Sequence, residues 1–284
     1  MTSNDNRPAA NAPTIAFIGG GNMARSLIAG LRAQGHPARA LRVADPNAAA
    51  TAALAGEFDV DIAADNAQAV RGADLVLLAV KPQVMAPVCA ELAPHLDADT
   101  PIVSIAAGIR SEQIDAWLGG RRAVIRTMPN TPSLLGAGAT GLYGNARCTP
   151  ADRALAQRLM DAVGVTVWID NEDRMDAVTA VSGSGPAYVF RLIEAMQAAA
   201  IAQGLSADSA RTLVLHTVLG AARMAAETTE DAATLRQRVT SPGGTTAAAM
   251  GSFDESGFEA VVARAIDAAT RRGAELSRPT DTSS

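Results

Sequence analysis

The sequence predicts an α/β fold with a doubly wound, mostly parallel sheet, followed by a second domain that is entirely helical. Two observations predict it. Over residues 13–170, short apolar runs of strand length alternate with helical stretches, the pattern of a parallel sheet covered by helices on both faces. After about Asn171 the strand-like runs stop and an Ala-rich helical periodicity continues, which indicates a separate helical layer.

The composition narrows the class of protein. The 284 residues are 48% hydrophobic and 19% charged, with a formal net charge of −5, an ordinary balance for a soluble globular protein. The chain contains no Lys/Arg-rich run, no apolar run long enough to span a membrane and no signal-peptide-like start, which argues against nucleic-acid and membrane partners. Cys89 and Cys148 stand apart, so no metal or disulfide is predicted. We therefore expect a cytoplasmic protein.

Seven segments are predicted as strands. The clearest is Asp74–Val80, because an almost wholly apolar run is typical of a parallel strand buried on both faces. In chain order the predicted strands are Thr14–Ile18, Ala40–Asp45, Val60–Ile62, Asp74–Val80, Pro101–Ala106, Ala123–Met128 and Val165–Ile169. Helices are predicted between them, from the first strand to about Gly35, at Asn47–Gly56, Val84–Leu92 and Ser111–Leu118, and from Pro150, with Thr149 as N-cap, to Gly164.

Three long helices are predicted in the second half of the chain. They run from Pro186 to a stop at Gly204, over Ala207–Glu227 and over Phe258–Gly273. The Ala and Met residues on their faces exceed what one small core can bury, which favours a homodimer built through this half. The chain is accordingly divided into a disordered tail at 1–12, a sheet domain at 13–170, a helical domain at 171–276 and a polar tail at 277–284.

The turn after the first strand has the G-x-G-x-x-A spacing of a dinucleotide site. Gly19 permits the tight turn, Gly21 allows close approach of a pyrophosphate, and the small Ala24 lets the helix pack on the strand. The N–H groups at the start of the helix, at Asn22 and Met23, add a positive dipole end. This Rossmann-like turn predicts NADH, NADPH or a flavin dinucleotide as ligand, although an ordinary βα turn would have a similar composition.

The carboxyl ends of four other strands supply further candidate cofactor residues, because open α/β sheets bind ligands at that edge. An acid at the end of the second strand, Asp45, is placed to bond a ribose hydroxyl and favour NADH, or to form an Asp-Pro turn. Lys81 would contact cofactor or substrate, or be a solvated side chain. Asn130 would offer its amide to the nicotinamide ring. The set comprises Asp45, Val80, Lys81, Ala106, Gly108, Asn130 and Pro132.

A second anion site is predicted at a Ser-Pro-Gly-Gly turn that leads into a helix. Its convergent N–H groups suit a substrate carboxylate, whereas a simple helix cap would not need two glycines. The residues are Ser241, Pro242, Gly243, Gly244 and Thr245, with Thr246 adding a hydroxyl. His36 and His216 have no obvious Asp partner in the sequence, so an acid pair of the lactate-dehydrogenase type is unsupported.

These motifs resemble pyrroline-5-carboxylate reductase, in order and spacing, from about Thr14 to Gly273. The motifs are Gly19–Ala24, Ala79–Pro82, Met128–Pro132, Gly183–Tyr188 and Thr240–Thr246. The resemblance implies reduction of (S)-1-pyrroline-5-carboxylate to L-proline by NADPH or NADH. It also implies a helical dimerisation domain, dimers joined into larger rings, and an active site between one subunit's nucleotide domain and helices of the dimer. It implies that Ser241–Thr245 holds the substrate carboxylate and that Thr246 lies near the imine nitrogen.

Three alternative functions compete with this interpretation. A β-hydroxyacid dehydrogenase uses a lysine on a helix of its second domain, but no lysine follows Lys81. A reductase of a related cyclic imine acid would have the same motifs. A non-catalytic regulator that binds the dinucleotide would bind NADH without turnover, although the second anion site beside Thr246 favours catalysis.

Overall fold

The computed structural model describes residues 12–277, which form two compact units. The first contains residues 12–183 and 269–277, and the second is Ser184–Ala268. The predicted tails at 1–12 and 277–284 lie outside the described residues except for Ala12 and Ser277. Ser277 is the last residue of a helix, and its hydroxyl donates to the Gly273 carbonyl at 3.0 Å.

The first unit is built on one eight-stranded sheet with the order β3-β2-β1-β4-β5-β6-β7-β8. All neighbouring pairs are parallel except β6 and β7, which are antiparallel. The predicted fold class is therefore confirmed. The strands are β1 Ile15–Ile18, β2 Leu41–Ala44, β3 Asp61–Ile62, β4 Leu75–Leu78, β5 Ile102–Ser104, β6 Val124–Met128, β7 Gly138–Gly144 and β8 Gly164–Trp168.

Helices cover both faces of this sheet, which is why its central strands are apolar throughout. In β1, Ile15 and Phe17 join one hydrophobic core while Ala16 and Ile18 join the other. Full burial of a large apolar side chain such as Phe17 stabilises the fold by about 1.5–3 kcal/mol. The helices of this unit are α1 Asn22–Ala33, α2 Ala48–Phe58, α3 Asn66–Val70, α4 Met85–Leu92, α5 Ser111–Trp117, α6 Pro150–Asp161 and α7 Met175–Val178.

Strand β7 was not predicted. Its sequence, Gly-Ala-Thr-Gly-Leu-Tyr-Gly, is rich in a residue that disfavours strands. The structure explains the glycines by close packing, since a Cβ at Gly141 would lie 2.5 Å from Val178 Cγ1, and one at Gly138 would overlap the Ser133 hydroxyl. Tertiary contacts, rather than local sequence preference, therefore determine that this segment forms a strand.

The second unit is helical, with few of its side chains buried. Its helices are α8 Gly185–Ala202, α9 Ala207–Glu227, α10 Ala232–Arg238, α11 Thr245–Glu255 and most of α12 Phe258–Ser277, whose last residues belong to the first unit. Within Ser184–Ala268 only Ala210 and Val214 are buried, while large apolar side chains including Phe190, Leu213 and Val261 are exposed. Large apolar side chains that are exposed in a single chain are typical of a subunit interface.

The boundary between the two units falls between Gly183 and Ser184, later in the chain than the predicted boundary at 170/171. Residues 171–183 count with the sheet because helix α7 packs on β7, with Val178 against Gly141. The domain boundary drawn from composition stays a prediction.

Candidate active site

The turn after β1 requires glycine at its first position. Gly19 has φ +104°, and a Cβ there would lie 2.6 Å from the Ala79 carbonyl oxygen and 3.3 Å from Val80 Cγ1. The Gly19 N–H donates to the Ala44 carbonyl at 2.8 Å. The turn is thereby held between the ends of β2 and β4, the two strands that flank β1. The chain builds the sheet outward on one side of β1 through β2 and β3 and then crosses to the other side at β4. Sheets of this kind usually bind ligands in the crevice at such a switch point.

Helix α1 begins directly after this turn with its N-terminus uncapped. Gly21 is the N-cap in extended conformation, it provides no side-chain cap, and the first turn contains no acidic residue. Nothing lies within 4 Å of a Cβ built at Gly21. Gly21 and Asn22 are exposed, Met23 is half-buried and Ala24 is fully buried. Open space above a positive helix end fits a pyrophosphate, as the motif predicts.

Asp45 braces the glycine turn from the end of β2. Its Oδ2 accepts a hydrogen bond from the Gly20 N–H at 2.7 Å, and its Oδ1 accepts from the Asn47 N–H at 2.7 Å. The side chain is half-buried. The carboxylate therefore forms a local turn beside the glycine loop, and its contact with a ribose hydroxyl stays a prediction.

The ends of β4 and β5 lie at the same edge of the sheet as the glycine turn, since these strands run parallel to β1 or to one another. Val80 is half-buried, Lys81 is exposed and Ala106 is buried. Gly108 has φ +73°, and a Cβ there would lie 3.2 Å from the Leu276 carbonyl oxygen. The last turn of α12 thus packs on this loop, a contact that the sequence analysis did not anticipate.

The Asn130 amide is hydrogen-bonded within the protein through both its nitrogen and its oxygen. The Nδ2 group donates to the Ser182 carbonyl at 2.9 Å, and Oδ1 accepts from the Ala139 N–H at 3.0 Å. The residue is buried, and Pro132 is half-buried in the short turn Thr131–Leu135 that follows. The Asn130 amide therefore holds the loop after β6 in place, and its contact with the nicotinamide ring stays a prediction.

A buried charge network, which leaves no recognisable motif in the sequence, supports the neighbouring loop. Glu172 accepts hydrogen bonds from the Ser111 N–H and hydroxyl, both at 2.7 Å, and pairs with Arg126 at 2.8 Å. Burial alone would raise the pKa of the Glu172 carboxyl, but the bonds from Ser111 and Arg126 outweigh it and leave the pKa below its usual value. The network fixes the start of α5, just after the loop that carries Gly108.

We expect Glu172→Gln to destabilise the protein by about 3 kcal/mol at pH 7, because it leaves the Arg126 charge buried and unpaired. A lowered folded-state pKa contributes stability above the unfolded-state value, and that contribution is lost as the pH falls through the folded value. Urea denaturation at fixed protein concentration should therefore show a difference between variant and parent that shrinks below about pH 4.

The matched control is Asp173→Asn. Asp173 is exposed and pairs with Arg110 at 2.9 Å, so its loss should change stability by about 0.5 kcal/mol or less. Equal effects of the two substitutions would contradict a special role for the Glu172 network.

The second unit contains the other predicted loop. Gly243 has φ +69°, and the Gly244 N–H donates to the Ser241 carbonyl at 3.0 Å. Ser241, Pro242 and Gly243 are exposed and Gly244 is half-buried. The turn delivers the chain into α11 at Thr245.

Helix α11 also begins without a side-chain cap. Gly244 is its extended N-cap, and the first turn has no acidic residue. Thr245 is exposed and Thr246 is half-buried. Within residues 12–277 no protein group bonds the Thr246 hydroxyl. This end of α11 therefore combines free N–H groups with an available hydroxyl, as a site for a small carboxylate requires.

Among the described residues, no group of three or more His, Cys, Asp or Glu could hold a metal ion. In the same part of the chain, no helix is both long and apolar enough to cross a membrane.

Two family profiles match the chain. One, described as "Pyrroline-5-carboxylate reductase dimerisation", matches residues 172–276. The other, described as "NADP oxidoreductase coenzyme F420-dependent", matches residues 14–108. Together they cover the glycine turn and the Ser-Pro-Gly-Gly turn.

Relatives and solved structures agree with these profiles. The pyrroline-5-carboxylate reductase of Pseudomonas aeruginosa is 55% identical over 94% of this chain and 97% of its own length. The solved enzyme of that name from Coxiella burnetii is 41% identical, with a TM-score of 0.92 over 95% of this chain and 100% of that chain. Pyrroline carboxylate reductase from Plasmodium falciparum, solved with NADP bound, is 26% identical with a TM-score of 0.82 over 94% and 98% of the two chains.

Proposed function

This chain belongs to the pyrroline-5-carboxylate reductase family, and from that premise we infer how its two loops divide the reaction. The enzyme is an oxidoreductase that reduces (S)-1-pyrroline-5-carboxylate to L-proline with NADPH or NADH, the last step of proline biosynthesis. When bound, the reduced nicotinamide supplies a hydride to the imine carbon. The residue roles that follow are proposals.

The glycine turn is assigned to the dinucleotide and the Ser241–Thr245 loop to the substrate carboxylate. The observation that supports this division is that each unit contains a helix, α1 or α11, that follows a glycine turn and has an uncapped N-terminus. A dinucleotide carries a pyrophosphate and the substrate a carboxylate, so the reaction needs two anion sites. The set proposed for the cofactor is Gly19, Gly21, Asn22, Met23, Ala24, Asp45, Val80, Lys81, Ala106, Gly108, Asn130 and Pro132.

Thr246 is proposed to orient the imine nitrogen from the first turn of α11. A cyclic imine is readily protonated near neutral pH, so the site needs a group that positions the nitrogen more than it needs a strong acid. Positioning of the imine carbon at about 3–3.5 Å from the hydride donor is then the main source of rate enhancement. This requirement fits a site without a His–Asp pair.

The experiment that tests the function is loss of reduced-nicotinamide absorbance with purified protein and pyrroline-5-carboxylate, run separately with NADPH and NADH. Rapid oxidation with either cofactor is expected. Oxidation only with a six-membered imine acid would favour the alternative ring size, and binding of cofactor without oxidation of either imine would favour the regulator.

We expect Asp45→Asn to shift the preference toward NADPH, raising the ratio of kcat/KM for NADPH over NADH by about tenfold. The substitution removes a negative charge that would repel a 2′-phosphate by about 1 kcal/mol or more at close range. It keeps a side-chain oxygen for the Gly20 N–H but loses the acceptor of the Asn47 N–H. Asp99→Asn is the control, because this exposed carboxylate precedes β5, at the amino end of the strand. An unchanged ratio in Asp45→Asn would remove Asp45 from the ribose site.

The chain self-associates through its helical region, as the dimerisation profile indicates. Rings of dimers and a cytoplasmic location are proposed beyond that. The cysteines Cys89 and Cys148 are both free thiols, which suits a reducing compartment. The division into domains at 13–170 and 171–276 is likewise proposed, and the dimerisation profile starts within two residues of it.

A further inference from the structure

The C-terminal turn of helix α12, residues 273–277, lies against the loop that follows β5, residues 105–110. Helix α12 begins at Phe258 in the second unit, but this turn and the β5 loop both belong to the first unit. Gly108 has φ +73°, and a Cβ built on it would lie 3.2 Å from the carbonyl oxygen and 3.4 Å from the Cβ of Leu276. The two backbones are therefore in close contact at a position that favours glycine.

The C-terminal turn is anchored on α7 through one carboxylate residue. Ser277 is 7% exposed, and its hydroxyl lies 3.1 Å from Asp176 Oδ1 and 3.0 Å from the Gly273 carbonyl oxygen, so the two oxygens share its proton. One turn earlier, Gly273 is buried against the same residue, where a Cβ would lie 3.3 Å from Asp176 Cβ. Because residues four apart lie on one face of a helix, these two contacts together orient the turn.

The β5 loop is fixed at its ends but not by hydrogen bonds in its middle. At its start, β5 is paired with β4 and β6 in the sheet, and at its end the Ser111 N–H and hydroxyl donate to Glu172. Within residues 12–277, the N–H groups of Ala107 and Gly108 donate to no protein group. The conformation of the loop between its ends therefore depends on what packs on it, and the C-terminal turn of α12 does so.

The β5 loop also lies on the side of the sheet toward which a bound dinucleotide would extend its nicotinamide half. The glycine turn that we assign to the pyrophosphate follows β1, and Asp45, which we assign to the ribose of the adenine half, follows β2. Strands β4 and β5 lie on the other side of β1 from β2. A dinucleotide whose pyrophosphate lies over β1 and whose adenine half extends toward β2 directs its nicotinamide half toward β4 and β5.

We propose that the C-terminal turn of α12 is a positioning element for the nicotinamide half of the cofactor, because it holds the middle of the β5 loop in its ligand-binding conformation. The proposal rests on the assignment of Ala106 and Gly108 to the cofactor under the proposed function. Asp176, Gly273 and Ser277 are positioning residues, since they act on the loop through the backbone of the turn. A loop that is ordered before the ligand arrives binds more tightly, because binding then costs less conformational entropy.

The test compares NADPH with ADP-ribose 2′-phosphate, the same ligand without its nicotinamide ring, by calorimetric titration of the full chain in the absence of an imine. Gly273→Ala places a methyl group against Asp176, although alanine favours the helix itself. We expect it to raise the Kd for NADPH about tenfold and to leave the Kd for ADP-ribose 2′-phosphate unchanged. Gly56→Ala is the matched control, because a Cβ at this exposed position in α2 meets nothing within 4 Å, and both ligands should bind to it as to the parent.

A second pair of variants keeps the test decisive if Gly273→Ala does not fold. Asp176→Ala removes the carboxylate that anchors the turn and should also weaken NADPH alone, whereas Asp176→Asn keeps an oxygen for the Ser277 hydroxyl and should bind NADPH like the parent.

Equal weakening of both ligands by Gly273→Ala or Asp176→Ala would overturn the proposal, because the turn would then support the fold and not the nicotinamide half. Unchanged binding of NADPH by the folded variants would overturn it as well. A parent protein that binds neither ligand would instead contradict the assignment of the cofactor site under the proposed function, so the two failures are distinguishable.

Discussion

Replacing Gly21 by alanine is expected to raise the KM for NADPH by about 100-fold while leaving the free energy of unfolding nearly unchanged. Gly21 has φ −71°, and a Cβ there meets nothing within 4 Å, so the free protein can accommodate a methyl group. The methyl would occupy the space above the α1 N-terminus that we assign to the pyrophosphate. A displaced phosphate loses hydrogen bonds from backbone N–H groups, each worth about 1.5–3 kcal/mol when the acceptor is charged. Initial rates with varied NADPH and urea denaturation measure the two effects.

Gly19→Ala provides the contrast within the same turn. A Cβ at Gly19 would lie 2.6 Å from the Ala79 carbonyl oxygen, at φ +104°, so the substitution should weaken both folding and cofactor binding. The pair separates a backbone requirement from a ligand requirement. An unchanged KM in a folded Gly21→Ala protein would show that the pyrophosphate does not lie on α1.

The sheet could largely be predicted because its central strands are buried on both faces. A strand that is buried on both faces requires a continuous apolar run. Leu75–Leu78 is such a run, and it is too short to be a helix. Strand β7 lacks this signal. Its glycines are selected by contacts with Ser133 and Val178, and such contacts are known only once the chain has folded.

The candidate site divides in the same way. Residues in a local motif, such as Gly19 and Gly244, could be predicted because the turn and the following helix are encoded within a few positions. Glu172 lies 61 residues from Ser111 and 46 from Arg126. Asn130 is bonded to Ser182, 52 residues away. Neither pairing leaves a periodic signal, so the buried network and the true partners of the Asn130 amide could not be found from sequence.

The helical unit shows a third kind of limit. Helices α8, α9 and α12 were predicted from their length and periodicity, but α10 is only seven residues long and offers too few turns for a period to be recognised. Low burial across Ser184–Ala268 means that the apolar faces are arranged for a partner. An apolar pattern that arises from packing between two subunits does not indicate which residues pack within a single subunit.

Thr246→Ala is expected to lower kcat/KM for pyrroline-5-carboxylate by about 100-fold while leaving the KM for NADPH unchanged. The hydroxyl lies in the first turn of α11, half-buried, where a substrate carboxylate held by the Ser241–Thr245 loop would bring the imine ring within its reach. A small misplacement of reacting atoms costs about 100-fold in rate, so the loss should appear with the imine and not with the cofactor. Initial rates with each substrate varied in turn distinguish the two.

Two further variants decide whether the hydroxyl itself matters. Thr246→Ser keeps the hydroxyl and should retain most of the activity, whereas Thr246→Val keeps the shape and should behave like alanine. Thr245→Ala, one residue earlier in the same turn and exposed, should raise the KM for the imine with a smaller effect on kcat, because its proposed role is to bind the carboxylate. Equal activity of Thr246→Val and Thr246→Ser would mean that packing at this position, rather than a hydrogen bond to the nitrogen, positions the ring.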